Sequence, residues 1–173
     1  MPQGVSRSGA VAVAVATACW LTALAAGKPP QGPPNFKVST SGPVDFGAAD
    51  PVTCPNGFVI TSPPAPASGT HIGDKGTFSA HECATPDYTA GVNHVNGEGT
   101  FTSTDGAQIF FDYGGTSPLP DITTGLISEQ LEFSITGGTG RFAGASGGGV
   151  LRTHGNFYVS VTGEYDGTIK LHG

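Results

Sequence analysis

From residue 36 onward no stretch repeats its apolar residues at the 3.6-residue period of a helix, whereas alternation at period two recurs. Gly155–Leu171 is the longest such stretch. Phe157, Val159, Val161, Tyr165 and Ile169 share one face with Gly163 and Gly167, and Ser160, Thr162, Glu164, Asp166 and Lys170 fall on the other. That pattern predicts one long antiparallel strand, or two with a break near Gly163, buried on one side and wet on the other. Ile127–Thr136 behaves alike: Ile127, Leu131, Phe133 and Ile135 face one way, and Ser128, Gln130, Glu132 and Ser134 the other. Further strands are expected at Asn93–Ser103, Gln108–Tyr113, Thr77–Glu82, Phe36–Phe46 and Gly57–Ile60. The Asp105-Gly106 pair between apolar runs predicts a hairpin turn, because glycine reaches positive φ at little cost.

Glu129 breaks the pattern. It lies on the apolar face of its strand, where a carboxylate is costly unless paired or wet. Two readings are open: Glu129 sits at a strand mouth where the face meets solvent, or it serves a ligand or a reaction.

Composition changes the picture in two ways. The chain has 28 glycines and 14 prolines, a level that approaches low-complexity sequence, yet 37% of its residues are hydrophobic. Short strands with glycine-rich turns reconcile these facts as a sandwich or a barrel, and closure into a barrel removes exposed sheet edges. The expected fold is therefore all-β, a single small antiparallel barrel. Seven Lys and Arg against 13 Asp and Glu give a net charge of −6, which leaves no basic footprint for nucleic acid.

The first 26 residues read as a secretory signal peptide: Arg7 in a weakly basic start, an uncharged Ala- and Val-rich run, and Ala23-Leu24-Ala25 as a cleavage site. Cleavage before Ala26 or close by leaves no stable membrane anchor, and the expected location is extracellular or periplasmic; the alternative is an uncleaved anchor, since the apolar run Gly9–Gly27 is about 19 residues, just long enough to span. Residues 27–35 contain a proline-rich linker, and residues 36–173 form the barrel domain. Ser62-Pro-Pro-Ala-Pro-Ala-Ser-Gly69 reads as a long exposed loop inside that domain. Secretion places Cys54 and Cys83 in an oxidising compartment, so a disulfide is the expected state, with two separate buried thiols as the alternative.

Candidate chemistry is sparse. Gly138-x-Gly140-x-x-Ala143 matches a dinucleotide fingerprint in form, but it leads into glycine and a β-like run instead of a helix. The better reading of Gly137–Gly149 is a tight connection between strands, with Phe142 and Ala145 plugging one end of the core. His71, His81, His94, His154 and His172 show no ligand spacing, so no metal or other cofactor is expected. No nucleophile elbow occurs. Asp112 and Glu129 form a candidate carboxylate pair for acid–base work.

The segment Gly137-Gly-Thr-Gly-Arg-Phe-Ala-Gly-Ala-Ser-Gly147, preceded by Leu131-Glu-Phe-Ser-Ile-Thr136, resembles a glycine-rich motif of dirigent proteins and their allene-oxide-cyclase-like relatives. Together with Gly99–Phe111 it is also similar to secreted bacterial proteins of this type. The motif positions are Gly137, Gly138, Gly140, Phe142, Ala145 and Gly147. Ser146 stands where many dirigent proteins carry arginine, so that contribution does not carry over. The resemblance implies an eight-stranded antiparallel barrel with an apolar interior that shapes a hydrophobic substrate during coupling or cyclisation. On that reading Phe101, Phe111, Phe133 and Tyr165 line a ligand cavity of a few hundred Å³, and Glu129 polarises or protonates a reacting oxygen. The partner is then a small hydrophobic molecule, and a homo-oligomer is compatible with the sequence. The competing reading is an extracellular structural or surface-interaction module with a filled barrel.

Overall fold

The computed structural model describes residues 35–47 and 50–172. The expected signal peptide, residues 1–26, and the expected linker up to residue 34 lie outside the described residues. Among the described residues there are nine strands: β1 (Asn35–Gly42), β2 (Asp45–Phe46), β3 (Phe58–Gly69), β4 (Gly73–Asp87), β5 (Val92–Thr102), β6 (Gln108–Pro118), β7 (Leu126–Gly138), β8 (Ser146–Asn156) and β9 (Ser160–Lys170). From β3 to β9 each strand pairs antiparallel with the next in sequence. β9 then pairs with β1, and β1 closes the ring on β3 through Val38↔Gly69, Ser39↔Ser68 and Thr40↔Ala67. The result is a closed eight-stranded antiparallel barrel, with β2 as an extra strand on β3.

Alternation puts one side of each strand inside. β1 buries Phe36, Val38 and Thr40, β6 buries Ile109, Phe111 and Tyr113, and β7 buries Leu131, Phe133 and Ile135. The middle of the barrel is filled by rings. Phe101 and Phe111 stack at 4.6 Å between centroids, and Tyr165 meets Phe101 at 4.9 Å and Phe111 at 5.3 Å, edge to face. Such offset and edge contacts suit the aromatic quadrupole. Gly99 on β5 makes room for them: a Cβ there would stand 2.3 Å from the Phe111 ring.

One end is plugged. A single 3-10 turn at Gly140–Phe142 follows β7, and it seats Phe142 among the core residues with no exposure, beside the buried Ala145. Arg141 ties this plug to two neighbouring turns. Its guanidinium donates to Asp105 Oδ2 at 2.7 Å and to the His71 carbonyl at 2.6 Å, and it lies 4.8 Å from the Phe142 ring centre. The Asp105-Gly106 hairpin joins β5 to β6 as expected, with Gly106 at φ +85°.

Three expectations need correction. The proline-rich segment 62–69 is part of β3 and is not a loop. Its ladder breaks between Ser62 and Ala65, so Pro63 and Pro64 fall at the irregularity, while Ala65 and Ala67 point inward and are buried. Proline is tolerated in a sheet at such bulges, where a missing N–H costs no ladder bond. The Gly155–Leu171 stretch is two strands broken at Phe157–Val159, well before Gly163; Val159 is exposed. Inward positions are odd-numbered on both sides of that turn, so the period runs through it unbroken and hides it. Finally, Gly147–Gly149 belong to β8 instead of a connection. A Cβ on Gly149 would lie 2.2 Å from the Asp166 carbonyl, so the approach of β9 requires glycine there.

Cys54 and Cys83 form a disulfide that fastens the segment before β3 to β4, with Cα atoms 5.5 Å apart. The bridge closes a separation of 29 residues. Replacing both cysteines with serine is expected to lower the unfolding free energy by about 3.5 kcal/mol in a denaturant titration. A loss within error of zero would show that this segment is already ordered in the unfolded chain or held by other contacts.

Candidate functional site: a carboxyl pair at the open end of the barrel

The end opposite the plug is open. Its rim is built by the segment between β1 and β3 and by the turns after β4, β6 and β8. A cavity of about 70 Å³ enters the barrel there. That volume holds on the order of five waters, and Phe46 and Phe157 flank its mouth with ring centres 5.1 Å apart. The aromatic cluster forms its floor through Phe78 and Tyr165.

A polar layer circles the inside just below the rim. The ladder runs from Thr40 on β1 to Gly163 on β9, Thr153 on β8 and Glu129 on β7. Ser117 on β6, paired with Asn93 on β5, continues it. Thr40, Asn93 and Ser117 are all buried. The Ser117 hydroxyl donates to Glu129 Oε1 at 2.9 Å.

Glu82 enters the same cavity from β4. The Tyr113 hydroxyl on β6 donates to Glu82 Oε2 at 3.0 Å, reaching across β5 to do so. That reach depends on Gly97, which lies in register between Glu82 and Tyr113; a Cβ on Gly97 would be 2.3 Å from Tyr113 Cζ. Gly97→Ala is therefore expected to displace the ring, break the Tyr113–Glu82 bond and cost about 1–3 kcal/mol. An unchanged melting temperature together with unchanged Tyr113 ring resonances would show that the sheet absorbs the methyl group without moving the tyrosine.

The two carboxyls disfavour ionisation. Burial, then the nearby Glu129 charge, pushes Glu82 up to about 8, against the lowering effect of the Tyr113 hydrogen bond. Burial also raises Glu129, opposed by Ser117. Tyr113 and Tyr165 are raised well above the usual phenol range by burial and by Glu82, so both stay neutral donors. Like charges in one low-dielectric site titrate as a unit. Near pH 7 such a pair retains a proton and can give a hydrogen bond as well as accept one.

Of the residues singled out in the sequence, Glu129 and Tyr165 line this cavity. Phe101, Phe111 and Phe133 do not line it; they are buried in the ring cluster beneath. Gly137, Gly138, Gly140, Phe142, Ala145 and Gly147 belong to the plugged end, away from the cavity. Asp112 points outward and is exposed, so it does not pair with Glu129. The enclosed space is also smaller than the few hundred Å³ expected, because the rings occupy the middle.

Glu82 takes the part given to Asp112. Parity contained the signal: Glu82 shares its face with Phe78, Ala80 and Ala84, the same anomaly that marks Glu129. Among the described residues no group of three or more His, Cys, Asp or Glu side chains converges as a metal site. No protein-family model matches this chain and no curated protein matches it, so the reading of the site rests on its geometry.

Proposed function

We propose that this protein is secreted and binds a small, largely hydrophobic molecule at the open end of its barrel, whose polar group meets the Glu82–Glu129 pair. The observation that carries this reading is the convergence of two half-buried carboxyls and the Tyr113 hydroxyl in one apolar-rimmed cavity. An apolar cleft with a few convergent polar groups of perturbed acidity is the usual form of a small-molecule site. The cavity suits a head group, with the rest of the ligand lying against the Phe46–Phe157 ring pair at its mouth. Secretion is supported by the signal-like residues 1–26 and by the disulfide.

A dirigent-like or cyclase-like activity fits the same site. The barrel would hold the ligand near its reacting conformation, and Glu82, protonated near neutral pH, would donate a proton to a ligand oxygen as a ring closes. The glycine-rich likeness at 137–147 supports this reading at the level of fold. The competing reading, an extracellular module without a ligand, draws its support from the ring-filled middle of the barrel.

A thermal-shift screen of lipophilic compounds with neutral, cationic and anionic head groups tests the proposal, because a ligand that binds the native state raises stability by mass action. At least one class is expected to raise the melting temperature of the wild type, and the rise should shrink in Thr153→Phe, which narrows the cavity. A panel without effect, or a rise undiminished in that variant, would leave the structural module as the reading.

A further inference from the structure

We infer that the molecule taken by this cavity carries a cationic nitrogen, an organic ammonium with an apolar body, held by Glu82 and Glu129. The inference rests on the reading of the open end as a ligand site and names the chemistry of the ligand.

Charge is the first argument. Two glutamates line the cavity, and among the described residues lining it there is no Lys, Arg or His. With one proton retained, the pair still carries a negative charge that no side chain of the cavity neutralises. A carboxylate held largely out of bulk water is costly without a counter-charge, and a bound cation supplies one. An anionic ligand would be repelled, and a neutral one would leave the charge in place.

Hydrogen-bonding capacity is the second. Tyr113 occupies Oε2 of Glu82 and Ser117 occupies Oε1 of Glu129. The other oxygen of each has no protein donor among the described residues, and no buried side-chain oxygen among them is left unpartnered. Those two oxygens therefore open on the cavity. An ammonium has three N–H donors and no acceptor, which suits acceptors converging from two strands. Phe46, Phe157, Tyr113 and Tyr165 also line the cavity, and aromatic residues are the class whose rings attract ammonium groups.

The field of the whole barrel points the same way. Asp45, Asp50, Asp87 and Asp121 stand on or beside the open rim. Lys37, Lys75, Arg141 and Lys170 lie toward the plugged end, and Lys37 and Arg141 are already paired with Asp166 and Asp105. Arg152 is on the outer face of β8. An approaching cation meets an acidic mouth, which raises its local concentration.

The test uses three probes of one length, hexylamine, 1-hexanol and hexanoate, titrated calorimetrically into the secreted protein at pH 7. Charge-assisted hydrogen bonds predict that hexylamine binds about tenfold or more tighter than 1-hexanol, with hexanoate weakest. In Glu129→Gln that preference, read as the ratio of the two affinities, should fall below about threefold. On the unaltered chain it should also vanish at pH 4, where Glu82 and Glu129 are protonated and Tyr113 and Tyr165 stay neutral. Equal or tighter binding of 1-hexanol would overturn the ammonium assignment and keep the apolar-ligand site. An amine preference that survives both Glu129→Gln and pH 4 would overturn it too. Failure of all three probes to bind would remove the ligand site along with its cation.

Discussion

Truncating Phe101 to alanine is expected to lower the unfolding free energy by about 3–5 kcal/mol, a large part of the 5–15 kcal/mol typical of a domain. Phe101 is fully buried and touches Phe36, Phe78, Phe111 and Tyr165 with ring centres 4.6–5.8 Å away. Its removal leaves a void that the barrel cannot collapse, because each strand is pinned on both sides by its ladder. Phe110, one residue from Phe111 and on the outer face, serves as the control. Its alanine variant should cost under about 1 kcal/mol. Urea unfolding of both variants measures the difference. Equal and small losses would mean that the ring cluster is loosely packed and that the middle of the barrel has space to offer a ligand.

A second large effect concerns pH. Glu82 has its acidity weakened in the folded chain, with its value raised from 4.5 to about 8. Between those values the native state holds a proton that the unfolded state has released. Stability therefore falls as pH rises through this window. The contribution is fully present below pH 4.5 and is lost once pH passes about 8. A loss of a few kcal/mol is expected across the window, since one pH unit of differential protonation is worth about 1.4 kcal/mol. Glu82→Gln keeps the shape and the Tyr113 contact without the charge. Its stability should be nearly flat from pH 5 to 9 and should exceed that of the wild type at pH 9. Melting curves across that range decide the matter. A wild-type profile that is flat, or that rises with pH, would show that Glu82 reaches enough solvent to ionise freely.

These two expectations concern features of unequal visibility in the sequence. Strand β7 was legible because apolar and polar residues alternate without interruption from Leu131 to Ile135, and β6 because Ile109, Phe111 and Tyr113 keep one parity although Phe110 adds an apolar residue on the other face. The hairpin between β5 and β6 was legible from Asp105-Gly106, a local conformational preference. Only the start of β3, within Gly57–Ile60, was legible; beyond it the prolines argue for a loop unless the bulge at Ser62–Ala65 is known. Strand β8 was hidden for a related reason: Gly147–Gly149 have no side chains to show a period.

The candidate site divides in the same way. Glu129 stood out as a carboxylate on an apolar face. Glu82 offered the same signal on β4 but lay at the edge of the stretch read as a strand, where parity counts for little. That the two share a cavity follows from the stagger of β4 against β7 around the closed ring, which no local pattern encodes.

Alternation, turn chemistry and cysteine content by themselves determined an all-β chain, several of its strands and the expectation of a disulfide, because each depends on neighbours in sequence. Only the tertiary structure decided how the ring closes through β1 and β3, which end is plugged by Phe142 and which stays open. It also decided that Phe101, Phe111 and Phe133 fill space beneath the cavity, while Glu82, Tyr113 and Glu129 meet within it. Those outcomes depend on strand register, on closure and on the room left by glycines such as Gly97 and Gly99, quantities set by residues far apart in the chain.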